Sequence, residues 1–242
     1  MRKATALRLS HPSPLDGVGP GVRFLCDNSG MVMHLHLVRH CQTAWNVEGR
    51  FLGCTDLPLT ADGHTQAATL VPAFARIPLV AIYASDLLRA AATAAPIAAA
   101  HGLPIQTDPR LREMHQGDLE GFTGTEIRPR YTDFFAAWEA DPADVVVPGG
   151  ESLRQTLVRA SAAVREIVAM YARDDETHIL IVSHGLTLQA IIGEAIGLDL
   201  RYALRLRPQH GSVSTLLLPG ADGIPRHPIL TRLNDRHHLD GG

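Results

Sequence analysis

Two separated pairs of residues have the types needed to bind and attack a phosphoryl group. Arg39 and His40 are adjacent, and His184 and Gly185 follow one another much later in the chain. A phosphoryl group in transfer spreads negative charge over three oxygens, which arginine forks and aligned N–H donors stabilise. Neutral imidazole is available near neutral pH, because its unperturbed pKa is about 6.5. His40 is therefore our candidate nucleophile for a covalent phosphohistidine intermediate.

A further cation, Arg89, stands near the start of a predicted helix. Ser85 is interpreted as the N-cap of that helix, so Arg89 in the first turn opposes the helix dipole. A bound anion would remove this conflict. The alternative is a solvated arginine on an amphipathic helix, and position alone does not separate the two.

The leaving alkoxide needs a proton, and a carboxyl group is the usual donor. Glu113, in a loop after Leu111, is our candidate. Asp118 and Glu120 are nearby alternatives, and each of the three could equally be a solvated loop acid.

Composition limits the classes of partner. The chain has 242 residues, 45% of them apolar, and a formal net charge of −3. It can bury one large core, and it lacks the diffuse positive charge that nucleic acid or an anionic membrane attracts. Three cysteines without a C-x-x-C pair favour neither a disulfide framework nor a zinc site, and no apolar run is long enough to span a bilayer. We expect a cytoplasmic protein with a small phosphorylated metabolite as its partner.

Short β-rich runs alternate with helical stretches from residue 34 onward, which indicates a layered α/β sheet. Residues 1–31 contain prolines and glycines without apolar periodicity and predict a weakly ordered extension, and residues 32–242 predict the folded domain. Strands are predicted at 34–38, 79–84, 104–107, 178–182 and 212–218. Helices are predicted at 61–75, 86–100, 132–140, 152–172 and 186–196. Because ligands bind beyond the carboxyl ends of parallel strands, this topology can bring the separated polar residues together.

The sequence around His40 resembles the Arg-His signature of the histidine phosphatase, or phosphoglycerate mutase-like, superfamily. That stretch reads LVRHCQTAWN at 37–46 and continues through GRFLG at 49–53 and DLPLT at 56–60. Agreement recurs, in family order, with SDLLRA at 85–90, LRE at 111–113, EG at 120–121, GGES at 149–152 and VSHG at 182–185. Any one triplet would mean little, but all of them together are specific.

The resemblance implies a fold and a set of roles. The fold is a three-layer α/β/α sandwich around a mostly parallel central sheet, with no metal and no other cofactor. His40 is implied as nucleophile and Glu113 as proton donor, with Arg39, Arg89 and His184 forming the phosphate pocket. The substrate-binding residues implied by the resemblance are Arg39, Asn46, Leu52, Gly53, Arg89 and Gly185.

Two departures from the family pattern bear on function. Cys41 replaces the glycine that most often follows the catalytic histidine, and a thiol beside positive charge gives the hypothesis of peroxide-sensitive activity, with a buried inert thiol as the alternative. The segment 117–147 is short and lacks the paired arginines of cofactor-dependent mutases. The sequence therefore favours a phosphatase over a 2,3-bisphosphoglycerate-dependent phosphoglycerate mutase.

Two other functions are compatible with the sequence. His34-Leu35-His36 places two imidazoles on one face of a strand, as H-x-H metal sites do, but further ligands are not evident in the sequence. A catalytically silent phospho-ligand binding protein is also compatible with the fold. The natural substrate stays undetermined, and so does the oligomeric state, for which a homodimer is one option.

Overall fold

A six-stranded sheet forms the centre of the computed structural model, which describes residues 32–171, 176–218 and 227–239. Its strands are β1 (Val32–Arg39), β2 (Leu79–Ala84), β3 (Ile105–Thr107), β4 (Glu176–Ser183), β5 (Val213–Leu218) and β6 (Ile229–Asp235). Their order in the sheet is β3-β2-β4-β1-β5-β6. The first four strands along the chain are mutually parallel, whereas β5 runs antiparallel to β1 and β6 antiparallel to β5.

Helices cover both faces of the sheet, so the predicted three-layer α/β/α sandwich is confirmed. The helices are α1 (Ala44–Glu48), α2 (Ala61–Phe74), α3 (Leu88–His101), α4 (Gly124–Ile127), α5 (Thr132–Ala140), α6 (Leu153–Met170) and α7 (Gly185–Ala195). On one face Leu35 and Leu37 of β1 pack with residues of α6 and α7. On the other face Val38 packs with residues of α2 and α3, as the two-residue period of a strand requires.

Most predicted elements are present with ends shifted by one or two residues. The N-cap assigned to Ser85 is wrong: α3 begins at Leu88 after Leu87, and the Ser85 hydroxyl accepts instead from the Leu87 amide. Arg89 nevertheless lies in the first turn, as predicted. The sequence did not predict β6, α1 or α4. The expectation of a weakly ordered segment at 1–31 falls outside the described residues.

The carboxyl edge of the parallel strands gathers the polar residues. Arg39 at the end of β1 is paired with Ser183 at the end of β4, and the His40 amide donates to the Ser183 carbonyl at 2.8 Å. The antiparallel β5 starts at this same edge, which brings the loop before Val213 beside His40. Over the described ranges, no helix is long and apolar enough to cross a membrane.

Candidate active site

His40 follows β1 directly, and its ring is oriented by the backbone next to it. Its Nδ1 lies 2.7 Å from the carbonyl oxygen of Cys41. A carbonyl oxygen can only accept, so Nδ1 carries the proton and Nε2 keeps its lone pair. Burial lowers the pKa of His40 well below 6.5, with further lowering by nearby His184 and Arg39. His40 Nε2 is therefore an unprotonated nitrogen at neutral pH.

The second imidazole belongs to His184, between β4 and α7, with its ring centre 5.1 Å from that of His40. Arg89 Nε donates to His184 Nδ1 at 3.3 Å, which places the proton of His184 on Nε2. Within the described chain this buried Nε2 has no hydrogen-bond partner. Burial, and then the charge of Arg89, lower the pKa of His184 well below 6.5. His184 thus presents a neutral N–H donor beside the nucleophile.

Arg89 is fully buried and held by backbone carbonyls. Its two terminal nitrogens donate to Thr55 at 2.9 Å and to Gly53 at 2.6 Å. Each of these nitrogens carries a second hydrogen that can bind an anion. Gly53 has no room for a side chain, because a Cβ there would lie 2.3 Å from Glu120 Oε1. The close approach of this loop is what brings the Gly53 carbonyl to Arg89.

Arg39 lies against the start of α7. One terminal nitrogen donates to the Pro208 carbonyl at 2.8 Å, while its buried Nε has no partner in the parts of the chain that are described. A Cβ on Gly185 would lie 3.2 Å from Arg39 Cζ, so a glycine lets the guanidinium approach the helix end. Arg39 and His184 therefore contribute unpaired N–H donors, which a phosphoryl group would satisfy.

Glu113 is buried and fixed by the first turn of α7. Its carboxylate accepts from the amides of Met114, Leu186 and Thr187 at 2.9–3.2 Å, and from the Thr187 hydroxyl at 3.3 Å. The free amides of a helix N-terminus are ordinary partners for an acid. Glu113 lines the same cavity as His40, which places it where a leaving group could be protonated.

The two alternative acids are engaged elsewhere. Asp118 accepts from the Tyr131 hydroxyl at 2.9 Å. Glu120 accepts from the amides of Cys54 and Thr55 at 2.8 Å, so it braces the loop that holds Arg89. Neither lines the cavity, and the geometry leaves Glu113 as the candidate acid.

A cavity of about 260 Å³ opens over His40. Of the predicted site residues, Arg39, His40, Asn46, Leu52 and Glu113 line it. Asn46 Oδ1 accepts from the amide and hydroxyl of Thr43, which leaves its Nδ2 end to donate. The other lining residues are Arg50, Phe51, Gln116, Leu119, Phe134, Phe135, Trp138, Val147, Leu186 and Leu204.

The other four predicted residues adjoin the cavity at its His40 end, with the His184 ring centre 5.1 Å from that of His40. Arg89, His184, Gly53 and Gly185 do not line the cavity but contact residues that do, or one another. Gly53 and Gly185 each lie against an arginine of the site, and their part in substrate binding stays a prediction.

The hypothesis of a reactive Cys41 is wrong. Its side chain is fully buried, and burial raises the pKa of its thiol to about 11. The thiol therefore stays protonated at neutral pH despite the arginines nearby, and a protonated buried thiol is a poor target for peroxide. The structure agrees with the alternative, an inert core cysteine.

Sequence reasoning missed His210 and Thr93. The His210 ring centre lies 5.5 Å from that of His40, and burial, then Arg39, lower its pKa to about 3. Thr93 Oγ1 accepts from the Cys41 amide at 2.9 Å and donates to the Arg89 carbonyl at 2.7 Å. It thus connects the nucleophile loop to α3. Neither residue belongs to a motif, and only their positions at this edge of the sheet reveal them.

Known proteins are similar to this chain in sequence and in fold. The sequence model of the family described as "Histidine phosphatase superfamily (branch 1)" matches residues 35–227. A curated relative from Enterobacter sp. (strain 638), "Probable phosphoglycerate mutase GpmB", is 32% identical over 209 residues, covering 86% of this chain and 96% of the relative.

Two solved structures with phosphatase names have the same fold. The alpha-ribazole phosphatase from Shigella flexneri superposes with a TM-score of 0.73 at 27% identity, and the match covers 84% of this chain and 96% of the Shigella chain. The mycobacterial glucosyl-3-phosphoglycerate phosphatase superposes with a TM-score of 0.76 at 28% identity, and the match covers 85% of this chain and 100% of the mycobacterial chain. The family match spans most of the chain. This chain therefore belongs to branch 1 of the histidine phosphatase superfamily.

Proposed function

We propose that the chain is a phosphomonoesterase that hydrolyses small phosphorylated metabolites through a phosphohistidine on His40, without a metal or other cofactor. The observation that carries this proposal is the hydrogen bond from His40 Nδ1 to the Cys41 carbonyl, because it leaves a neutral Nε2 at the floor of the cavity. The unpaired donors of Arg39 and His184 beside it supply the charge stabilisation that a metal supplies in other phosphatases.

The first step of the proposed reaction transfers the phosphoryl group to His40. The lone pair of Nε2 forms a bond to phosphorus, and the bond from phosphorus to the ester oxygen breaks with its electron pair on that oxygen. Glu113, carrying a proton when the ester binds, donates it to the leaving oxygen. Arg39, Arg89 and His184 hold the three phosphoryl oxygens.

The second step returns the enzyme to its starting state. Water attacks the phosphohistidine, the carboxylate of Glu113 accepts a proton from it, and the bond from phosphorus to Nε2 breaks with the electron pair on nitrogen. Inorganic phosphate is released, His40 is again neutral, and Glu113 is again protonated.

The lining of the cavity favours an ester with an apolar body over a phosphoglycerate. Phe134, Phe135 and Trp138 of α5 line the cavity, and so do the apolar side chains of Phe51 and Leu186. Of the described residues in this lining only Arg39 and Arg50 are cations, and Arg50 is occupied by Glu48, Glu126 and the Gly121 carbonyl. A substrate carboxylate or second phosphate would have to compete with Glu48 and Glu126 for Arg50.

The central experiment compares wild type, His40→Ala and His64→Ala in the presence of a chelator. His64 is an exposed residue of α2 and serves as the matched control. We expect phosphate release and an acid-labile phosphoenzyme after rapid quench in wild type and His64→Ala, and neither in His40→Ala. Phosphate release that persists in His40→Ala would overturn the mechanism. Release in no variant would favour the silent binding protein.

The role of Glu113 is tested with two leaving groups. Glu113→Gln should lose activity on an alkyl phosphate, whose leaving oxygen needs a proton, and retain much more on p-nitrophenyl phosphate, whose leaving group departs as a phenolate. Equal losses on both esters would show that Glu113 does not act as the proton donor.

The mutase alternative, favoured by the name of the curated relative, is tested with 3-phosphoglycerate. We expect little interconversion and faster hydrolysis of 1-naphthyl phosphate. Trp138→Ala should raise KM for the naphthyl ester, while Glu139→Ala on the exposed side of the same helix should not. Interconversion faster than phosphate release would decide for the mutase.

A further inference from the structure

Three histidines and a glutamate form a cluster at the amino-terminal ends of β1 and β4. His34 and His178 are paired in register on these neighbouring strands, so their side chains lie on the same face, and Glu176 stands two residues before His178. His34 precedes His40 by six residues, or about 20 Å of extended strand, and His36 precedes it by four, or about 13 Å. The cluster is therefore independent of the cavity and of the proposed phosphatase activity.

The spacing of three of these side chains matches a metal site. Glu176 Oε1 lies 3.4 Å from His34 Nε2 and 3.3 Å from His178 Nε2. Bonds of about 2.0–2.1 Å from zinc to imidazole nitrogen and carboxylate oxygen give ligand-to-ligand separations of about 3.3 Å in a tetrahedron. All three atoms lie within 4.8 Å of one another, with the two imidazole rings stacked at 4.3 Å between centres. A small rotation of the side chains would close this triangle on one ion.

The fourth residue, His36, supports one of the ligands from behind. His36 Nε2 lies 3.1 Å from His178 Nδ1, and His36 Nδ1 lies 3.2 Å from Thr215 Oγ1. With His178 donating to His36 and His36 donating to Thr215, the lone pair of His178 falls on Nε2, the atom next to Glu176. Second residues of this kind fix the tautomer and orientation of metal-binding histidines.

The surroundings allow an ion to enter. Glu176 is exposed, with 65% of its side chain accessible, and His34 is partly exposed at 24%. His178 and His36 are more enclosed, and His36 packs edge-on against Phe74 of α2. Two imidazoles and one carboxylate suit zinc and its transition-metal neighbours rather than magnesium or calcium, which prefer oxygen ligands alone.

We propose that His34, Glu176 and His178 bind a single zinc-class transition-metal ion, with water in the fourth position and His36 as the supporting residue. The ion would join β1 to β4 at the end of the sheet remote from the cavity, and so act on stability rather than on phosphoryl transfer.

The test is a zinc titration of chelator-stripped full-length protein, followed by calorimetry and by thermal unfolding. A second described cluster, Cys54, His115 and Glu120, also has the composition of a metal site. The titration is therefore run in a Cys54→Ala background, in which that cluster loses its thiol. His64→Gln is the matched control for loss of an exposed histidine.

We expect one zinc per chain, a higher unfolding temperature with zinc, and anomalous density between His34 and His178 at the zinc edge. Glu176→Gln, at an exposed position that should not disturb folding, should weaken binding at least tenfold, and His36→Gln should weaken it roughly 10- to 100-fold. Binding that is unchanged in Glu176→Gln and His178→Gln would overturn the proposal, as would anomalous density confined to other residues. Phosphatase activity in chelator is measured separately, so failure of one proposal does not decide the other.

Discussion

His40 is neutral because of where it is placed, since an exposed histidine near pH 6.5 would be half protonated. Its ring is buried, and His184, Arg39, Arg89 and His210 all lie near enough to disfavour a positive charge. In the proposed mechanism the arginines thus serve two purposes: they attract the phosphoryl group, and they keep the nucleophile unprotonated.

The protonation state of His40 can be measured directly. We expect the Nε2 resonance of His40 to keep its deprotonated position well below pH 6.5, because protonation would place a cation in a buried site beside two arginines. The measurement is a nitrogen-15 NMR titration, assigned with His40→Gln and compared with the urea-unfolded chain, where every histidine should titrate near about 6.5. A folded-state midpoint at or above 6.5 for His40 would contradict this account.

At the residue scale, the sequence predicted the residues with motifs and missed those without. Arg39, His40 and His184 could be named because triplets of distinct chemistry mark them. His210 and Thr93 act through distances across the fold, 5.5 Å between ring centres and 2.9 Å to an amide, which no spacing along the chain reveals. Cys41 shows the converse, since proximity to cations suggested a thiolate and burial reversed that expectation.

At the element scale, α6 positions the proposed proton donor although it contributes nothing to the cavity. Arg159 of α6 donates to the carbonyls of Arg110, Arg112 and Glu113, each at 2.8 Å, and pairs with Glu151. One guanidinium therefore fixes the loop that carries Glu113. Lysine has a single nitrogen and cannot span these acceptors.

Arg159→Lys should consequently lower kcat roughly tenfold with a smaller change in KM, because a misplaced acid slows the reaction without removing the phosphate pocket. Arg154→Lys is the matched control, since Arg154 lies on the same helix and pairs only with exposed Asp144 among its described partners. Steady-state kinetics on an alkyl phosphate tests this, with thermal unfolding to verify that both variants are folded. An equal kcat for the two variants would remove Arg159 from the positioning of Glu113.

Element boundaries were predictable where the periodic pattern was strong. Helix α6 begins one residue after the predicted start, and the Ser152 hydroxyl accepts from the Gln155 amide in a capping box. Strand β6 was missed because it is an edge strand, largely exposed, so its sequence does not alternate between apolar and polar residues. Ser85 does not cap α3. The Asp86 carboxylate binds the Arg112 guanidinium, with oxygen-to-nitrogen distances of 2.6–2.7 Å, and the helix begins only at Leu88, two residues later.

At the scale of the whole molecule, the sheet has two chemically different ends. The carboxyl ends of β1 and β4 carry arginines and paired imidazoles around a cavity, and the amino-terminal ends carry the histidine–glutamate cluster. The sequence predicted the first end from topology. At the second end it gave His34 and His36 as a possible H-x-H pair. It did not predict Glu176 and His178, because they are about 140 residues from His34 and only strand pairing unites them.

The buried histidines should make the fold sensitive to acid. The pKa of His210 is about 3 in the folded protein, whereas an unfolded histidine titrates near 6.5. Between these values the unfolded chain binds more protons, so stability is complete above pH 6.5 and falls as the pH falls. At about 1.4 kcal/mol per pH unit, His210 alone would cost about 2 kcal/mol by about pH 5.

Urea unfolding in chelator at about pH 7 and about pH 5 measures this loss. His210→Asn should reduce the loss of unfolding free energy between the two pH values by the contribution of His210, about 2 kcal/mol. His64→Asn, at an exposed position, should leave the loss unchanged. A wild-type stability that is equal at both pH values would show that the buried imidazoles are protonated in the native state.

The unpaired donors of Arg39 and His184 bear also on the end of the reaction. A pocket that satisfies them with the phosphoryl group of an ester satisfies them equally well with the inorganic phosphate that hydrolysis leaves behind. Product departure then costs the hydrogen bonds that made substrate binding favourable. The enzyme is accordingly expected to be inhibited competitively by its own product, and its turnover to slow as phosphate accumulates around it.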